Sequence, residues 1–322
     1  MGVLATLSLL LAGCGSGAGG SDGGLRSIRV GYPSDTASYG DLYACQDQGI
    51  FEKHGLKVEL TLLKTSSQLL AGLTSGSVQV AGGDGTAIAA GALGGTDVKM
   101  VELKIPVYFT ELWAGPEVRS LADLAGKKVG VTAPGSVTDK STRTMLADQG
   151  LDKDVQVVNL NSLPALLSAG QNGAVDALVT APPQGATTQA FGWHKVTDTT
   201  KYPTAASVYT VTGSYAAENR DVVSDFVAAD VECLQFVKNP ANRDATVASI
   251  AKYTKTDDRA LAEYGYDFFS KVWTTEPVVD EKLVRQTMQD VAGSNPVPDD
   301  ISPFIDNSFV EAALAGTSGA GR

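Results

Sequence analysis

The amino-acid sequence predicts an α/β protein with two similar lobes, each a mostly parallel β-sheet flanked by helices. The first observation is an internal repeat: residues 69–80 read LLAGLTSGSVQV and residues 166–177 read LLSAGQNGAVDA, so the two stretches align without a gap. The repeat extends upstream, where RVGYPS at 29–34 returns as KVGVTAPGS at 128–136. A period of about 100 residues suits a small domain and is too long for a solenoid. The second observation is that each copy alternates strand and helix signals.

The first copy carries these signals in the order β-α-β-α-β. A β-branched run at 28–30, an alternating run at 58–62 and a third run at 78–81 predict strands. Helical spacing of apolar residues predicts one helix around Leu42 and a second that begins after Thr65 as its N-cap. This alternation is typical of parallel sheets with helices on both faces.

The second copy repeats the order, and a helical region follows it. Its predicted elements are strands at 129–132, 155–160 and 175–180 and helices at 136–149 and 163–172. Residues 219–292 then show three or four apolar stripes at helical spacing. We expect these helices to pack back on one lobe and enlarge it.

Composition and charge narrow the possible functions. The chain has 322 residues, 43% of them hydrophobic, and a net charge of −11, which predicts a globular protein of about two domains. The acidic balance, without a cluster of Lys or Arg, disfavours nucleic acid as a partner. The two His and three Cys residues are scattered, and the sequence shows no motif for a nucleophile with its base, a metal or a cofactor. A binding protein without catalytic residues, metal or cofactor is therefore favoured over an enzyme.

The N-terminal residues carry the pattern of an export signal. An apolar run, GVLATLSLLLAG, is too short to span a membrane; it ends in Leu-Ala-Gly-Cys and precedes a Gly/Ser-rich segment. This arrangement resembles the lipobox of bacterial lipoproteins, although no Lys or Arg precedes the apolar run. The resemblance implies a signal peptide at 1–13, cleavage before Cys14, acylation of its sulfur and a flexible tether at 14–24. A chance occurrence of the four residues is the alternative.

Four segments resemble the substrate-binding proteins of bacterial ABC importers. They are GIFEKHGLKVEL (49–60), GSVQVA (76–81), SLADLAGKKVGV (120–131) and GAVDALV (173–179). Within that family the resemblance is strongest to the nitrate, sulfonate, taurine and thiamine-pyrimidine binding group, and it covers about residues 27–315. Two positions depart from the family pattern: Gln79 stands where the first copy usually has Asp, and Cys45 replaces a small apolar residue.

The resemblance implies a type II periplasmic-binding-protein-like fold, with the solute held between two lobes. Lobe I would comprise 25–110 and 213–322, and lobe II would comprise 111–212. Two crossings, expected within 103–112 and 207–212, would join them. The implied role is that of a monomeric, lipid-anchored extracytoplasmic subunit, at the cell surface or in the periplasm, which delivers a small-molecule solute to a membrane permease and its ATPase.

The predicted solute site lies at the carboxyl ends of the strands. Ligands of open parallel sheets bind there, and helix N-termini present free N–H groups to them. The loops at these positions are rich in Ser, Thr and Gly. The candidate ligand-binding residues are Tyr32, Ser34, Asp35, Ser38, Tyr39, Thr65, Ser66, Asp84, Gly85, Thr86, Gly135, Ser136, Val137, Thr138, Thr180 and Gln184. For any single Ser, Thr or Asp, capping of a helix is the alternative role.

The carboxylates in these loops bear on the chemistry of the solute. Asp35 and Asp84 would repel a bare inorganic anion such as nitrate or sulfate, whereas they would pair with an ammonium group or an amino-pyrimidine. An aminosulfonate or a thiamine-type pyrimidine is therefore expected. The alternative function is a secreted enzyme of a related fold acting on a pyrimidine or a small organic acid. The synthase branch that resembles these binders carries a cysteine cluster, which this sequence lacks.

Cys45 and Cys233 are expected to form a disulfide. An exported protein folds in an oxidising compartment, and the helical tail that carries Cys233 should return to the lobe that holds Cys45. The alternative is that each thiol is a small buried hydrophobic group.

Overall fold

The structure is a computed structural model that describes residues 24–319. The predicted signal peptide, Cys14 and all but the last residue of the predicted tether lie outside the described residues. Within 24–319 the chain forms ten strands and twelve α-helices. The strands are β1 (Arg26–Tyr32), β2 (Leu56–Leu62), β3 (Val80–Asp84), β4 (Lys99–Val107), β5 (Glu111–Ala114), β6 (Lys128–Val131), β7 (Gln156–Asn159), β8 (Ala177–Thr180), β9 (His194–Asp198) and β10 (Pro203–Val211). The helices are α1 (Gly40–Asp47), α2 (Ile50–Lys53), α3 (Ser66–Thr74), α4 (Gly85–Leu93), α5 (Val137–Asp148), α6 (Leu163–Gln171), α7 (Gly213–Glu218), α8 (Arg220–Lys238), α9 (Arg243–Thr254), α10 (Arg259–Val272), α11 (Glu281–Val291) and α12 (Ser308–Gly319).

The strands form two five-stranded sheets. The first has the order β2-β1-β3-β10-β4 and the second the order β7-β6-β8-β5-β9. In each sheet three neighbouring strands are parallel, as the β-α-β-α-β repeat predicts. One strand, β10 in the first sheet and β5 in the second, runs against the other four. The predicted α/β architecture is thus confirmed, with mixed sheets. We call the first sheet, with the helices packed on it, the first lobe. The second sheet and its helices form the second lobe.

The chain crosses between the two sheets twice. The first crossing joins β4 to β5, within the predicted 103–112. The second joins β9 to β10, earlier than the predicted 207–212. Strand β10 pairs with β3 and β4, so it extends the first lobe and corrects the boundary predicted at residue 212. An alternating pattern predicts that a strand forms, but it does not specify the sheet that the strand joins.

Side-chain caps and glycines explain where several helices begin and end. Thr65, Asp84 and Ser136 accept hydrogen bonds from backbone N–H groups in the first turns of α3, α4 and α5. Gly76 and Gly173, which occupy equivalent positions in the repeat, follow α3 and α6 with φ of +70° and +69°. Glycine adopts this left-handed conformation without steric cost at helix ends. The repeated sequence therefore encodes a repeated helix–turn–strand geometry.

The C-terminal helices cover both faces of the first sheet. Phe226 of α8 shares an apolar cluster with Val80 of β3, whereas Met288 of α11 shares a second cluster with Ala81. Consecutive residues of a strand point to opposite faces, so the two clusters lie on opposite sides of the sheet. Among residues 24–319, no helix is both long enough and apolar enough to cross a lipid bilayer.

Cys45 of α1 and Cys233 of α8 form the predicted disulfide, with their Cα atoms 5.4 Å apart. Both side chains are fully buried. The bond joins positions separated by 188 residues, and it links a helix of the C-terminal tail to the first α-helix of the described chain.

Candidate solute-binding cleft

The carboxyl ends of the central strands carry predicted site residues from both lobes. Tyr32 and Asp84 end β1 and β3 in the first lobe, and Thr180 ends β8 in the second. A cavity of 130 Å³ is lined by Asp35 from the first lobe and by Gln184 from the second, together with residues of α9 and α10. The structure thus brings two predicted residues from opposite lobes to one cavity.

The Asp35 carboxylate has both of its partners within the protein. Its Oδ1 accepts a hydrogen bond from the Tyr32 hydroxyl at 2.8 Å, and its Oδ2 lies 3.0 Å from Nζ of Lys255. Burial, with the neighbouring Asp35 carboxylate, raises the pKa of Tyr32, so the phenol remains a hydrogen-bond donor. The carboxylate of Asp35 therefore orders the loop between β1 and α1, and a cation of the same chain balances its charge.

Hydroxyl groups hold the rest of that loop. Ser38 Oγ lies 2.9 Å from Thr36 Oγ1, which lies 3.4 Å from Ser34 Oγ. The buried Tyr39 hydroxyl donates to the carbonyl of Gly82 at 3.3 Å. These contacts connect the loop to β3, and they show that Ser34, Ser38 and Tyr39 have structural partners whether or not they also contact a solute.

Of the two predicted carboxylates, Asp84 is the one with an oxygen that accepts no hydrogen bond within the described chain. Its Oδ1 accepts from the backbone N–H and the hydroxyl of Thr86, both at 2.9 Å, whereas Oδ2 accepts no hydrogen bond from any residue of 24–319. Burial raises the pKa of Asp84, and the charge of Lys140 from the second lobe acts in the opposite direction. A side chain at Gly85 would overlap the carbonyl oxygen of Ala205, so glycine allows α4 to begin directly behind the carboxylate.

The second lobe contributes the N-terminus of α5. Gly135 has a φ of +72°, and its N–H donates to Asp139 at 2.9 Å. Ser136 Oγ lies 2.9 Å from Thr138 Oγ1 and accepts from the Asp139 N–H at 3.3 Å. The N–H groups of the first turn, beginning at Val137, have no acceptor within the helix and provide a partial positive charge. This turn is suited to an acidic group of a ligand.

The remaining predicted residues have other environments. Thr65 and Ser66 are exposed at the start of α3, and Thr65 Oγ1 accepts from the N–H of Gln68 at 3.1 Å. Thr180 is buried at the end of β8. A solute contact of these three residues stays a prediction, and helix capping is the role that the structure gives to Thr65.

Sequence reasoning missed the contacts that join the lobes. The Tyr264 hydroxyl of α10 donates to Glu111 of β5 at 2.8 Å, and Lys195 of β9 lies 2.7 Å from the same carboxylate. Lys140 of α5 donates to the backbone carbonyl of Asp290 in α11 at 3.1 Å. The two residues of each pair are more than 80 positions apart in sequence, and no local pattern relates them.

A larger cavity of 540 Å³ lies beside the two crossings. Its lining includes Val107 at the end of β4, Asp198 at the end of β9 and Phe268 of α10. None of the predicted site residues lines it. Ligand binding at this cavity was not predicted from the sequence. Two of the predicted residues, Asp35 and Gln184, line the smaller cavity instead.

Two lobes built on one α/β repeat and joined by two crossings define the fold of the periplasmic solute-binding proteins. The chain belongs to the NMT1/THI5-like family, whose model matches residues 37–242. A protein of Brucella abortus (strain 2308), named as a binding protein, is 26% identical over 279 residues, which cover 80% of each chain.

Two solved structures show the same fold. The periplasmic aliphatic sulphonate binding protein SsuA from Escherichia coli aligns with a TM-score of 0.73 and 19% identity, over 88% of this chain and 99% of that one. The periplasmic nitrate-binding protein NrtA from Synechocystis PCC 6803 aligns with a TM-score of 0.70 and 13% identity, over 91% of this chain and 89% of that one. The family resemblance predicted from the sequence is thereby confirmed.

Proposed function

We propose that the protein is the extracytoplasmic solute-binding subunit of an ABC importer. It captures a small polar solute between the two lobes and delivers it to a membrane permease and its ATPase. The observation that carries this proposal is the cavity lined by Asp35 from the first lobe and Gln184 from the second, in a chain of two equivalent sheets that belongs to the NMT1/THI5-like family. A ligand that contacts both lobes favours the closed arrangement, because each lobe alone offers only half of the contacts.

The solute we propose carries a hydrogen-bond donor or a positive charge at one end. Asp35 is already paired with Lys255, so Asp84 is the carboxylate left to accept from a ligand. The N-terminus of α5 would hold an acidic group at the other end of the solute. An aminosulfonate or a thiamine-type pyrimidine has this distribution, and a bare nitrate ion does not.

Asp84→Asn is expected to weaken binding of an amine-bearing solute by about tenfold or more. A hydrogen bond to a charged group contributes about 1.5–3 kcal/mol, and each ~1.4 kcal/mol changes the affinity tenfold. Asparagine is also a good N-cap, so α4 should be preserved. The measurement is calorimetry with taurine, an alkyl sulfonate without the amine, a hydroxymethylpyrimidine and nitrate.

Asp35→Asn is the matched control, because its carboxylate is already paired within the chain and its loss should change the affinity much less. Tight binding of nitrate, or of the amine-free sulfonate, that Asp84→Asn leaves unaffected would contradict this solute class. Recovery of the solute unchanged after incubation separates a binding protein from an enzyme. A native mass spectrum of the freshly purified protein would identify a co-purified solute.

We also propose that Cys14 anchors the mature protein to the extracytoplasmic face of the membrane. The support is the sequence Leu-Ala-Gly-Cys followed by a Gly/Ser-rich segment, and stable anchoring takes about two lipid chains. In its host, Cys14→Ala should move the protein from the membrane fraction to the supernatant. Retention of the variant in the membrane fraction would argue against a lipid at this position.

A further inference from the structure

The first lobe buries four ionisable side chains from three elements. Asp41 of α1, Glu102 and Lys104 of β4, and Asp230 of α8 are all 0% exposed. Nζ of Lys104 lies 2.6 Å from Asp41 Oδ2 and 4.1 Å from the ring centre of Tyr209 in β10. The charge of Lys104 also acts on Glu102 and Asp230, so one cation serves three carboxyl groups. Tyr39, in the turn before α1, is the other titratable side chain near the lysine, 5.2 Å from it.

The oxygens of this cluster outnumber its donors. Neither oxygen of Glu102 nor either oxygen of Asp230 has a donor partner among residues 24–319, and the same holds for Asp41 Oδ1. The Tyr209 hydroxyl is fully buried and also lacks a partner within the described chain. An ionised carboxylate can only accept hydrogen bonds, and burying an unpaired one is costly. Glu102 and Asp230 lie within hydrogen-bonding reach of each other, and two carboxyl groups can satisfy each other only when a proton lies between them.

We propose that Glu102 and Asp230 form a proton-binding site in the interior of the first lobe, and that the Cys45–Cys233 disulfide holds the helices that cover it. Asp41 and Cys45 are four residues apart on α1, and Asp230 and Cys233 are three residues apart on α8. Residues at these spacings share a helix face. The disulfide therefore lies about one turn from the acidic pair and prevents α1 and α8 from separating.

The electrostatics of the site agree with this geometry. Burial, followed by the charge of Asp230, raises the pKa of Glu102 well above its usual range. Burial, followed by the charge of Asp41, raises the pKa of Asp230 to about 8. Lys104 lowers both pKa values but does not offset burial. At neutral pH the Glu102–Asp230 pair therefore holds a proton, which allows one carboxyl group to donate to the other. The contact between Lys104 and Asp41 completes the cluster.

The sign of the pH dependence follows from the raised pKa values. The folded protein binds the proton more tightly than the unfolded chain, so the stabilisation is greatest in acid and is lost as the pH rises toward about 8. Asp230→Asn is isosteric and removes one titrating group. The quantity to compare is the ratio of two folding equilibrium constants, that of the wild type over that of Asp230→Asn. This ratio should fall roughly tenfold per pH unit between pH 5 and pH 8. A ratio that stays constant over this range would overturn the proposal.

Infrared spectroscopy observes the proton directly and does not require a stable variant. The full-length wild type at pH 7 should show a protonated carboxyl band that disappears in alkaline solution, and Glu102→Gln should lack the Glu102 contribution. The same spectra without such a band at pH 7 would refute a bound proton. Stability at pH 7 that rises with Na⁺ or K⁺ in the wild type, but not in Glu102→Gln, would assign the site to a cation instead.

The covering role of the disulfide is tested by Cys45→Ala/Cys233→Ala. When α1 and α8 can separate, water reaches the carboxyl groups, and the pH at which the infrared band disappears should decrease. An identical midpoint in the variant and the wild type would show that the disulfide does not cover the site. His54→Gln is a suitable control. His54, which follows α2, lies 2.9 Å from Glu232 of α8 on a partly exposed surface. Its replacement should therefore leave the midpoint unchanged.

Discussion

Lys104→Met is expected to lower the free energy of unfolding by about 3–5 kcal/mol at pH 7. Lys104 lies 2.6 Å from Asp41, and both side chains are 0% exposed. Removing the ammonium group leaves a buried negative charge beside two further carboxyl groups, with no water to solvate it. The methionine side chain is unbranched and only one atom shorter than that of lysine, so most of the loss reflects charge rather than a cavity. Chemical unfolding followed by circular dichroism measures it.

An exposed ion pair provides the control for Lys104→Met. Lys201 lies 2.8 Å from Asp148, but both side chains are largely exposed, and exposed pairs contribute little to stability. Lys201→Met should therefore cause no measurable destabilisation. Asp41→Asn in the Lys104→Met background should restore part of the lost stability, because it removes the unpaired charge. Equal effects of Lys104→Met and Lys201→Met would contradict the role assigned to the buried pair.

The internal repeat allowed much of the fold to be predicted from sequence. Each copy contains its own strands, helix caps and terminating glycine, and these depend on residues a few positions apart. Thr65 and Ser136 accordingly cap α3 and α5, two helices that the sequence predicts. The same locality explains the uncertainty about the site: a hydroxyl that caps a helix and one that binds a solute have the same sequence pattern.

Pairing between distant segments could not be predicted. The segment predicted as a crossing, 207–212, lies mostly in strand β10, and the place of that strand between β3 and β4 depends on residues about 100 positions earlier. Glu102 and Lys104 alternate with apolar residues in β4, a pattern that predicts a solvent-exposed face. Instead, α1 and α8 cover that face, and α8 comes more than 100 residues later. Asp35 is similar, because its partner Lys255 follows α9.

Removing the disulfide is expected to have the second large effect on stability. Cys45→Ala/Cys233→Ala should lower the free energy of unfolding by about 2–5 kcal/mol. The bond closes a loop across 188 positions, and a crosslink of this span strongly restricts the unfolded chain. Alanine is preferred to serine at both sites, because the side chains are fully buried and a serine hydroxyl would need a hydrogen-bond partner.

The state of the bond can be established before any stability measurement. In a Cys14→Ala background, alkylation of the denatured, unreduced protein should label neither remaining thiol, whereas prior reduction should expose both. Two labelled thiols without reduction would contradict the bond. Reduction of the folded wild type should reproduce the destabilisation of the double variant, because both remove the same crosslink between α1 and α8. It should also leave the double variant itself unchanged, which separates loss of the crosslink from any other effect of the reductant.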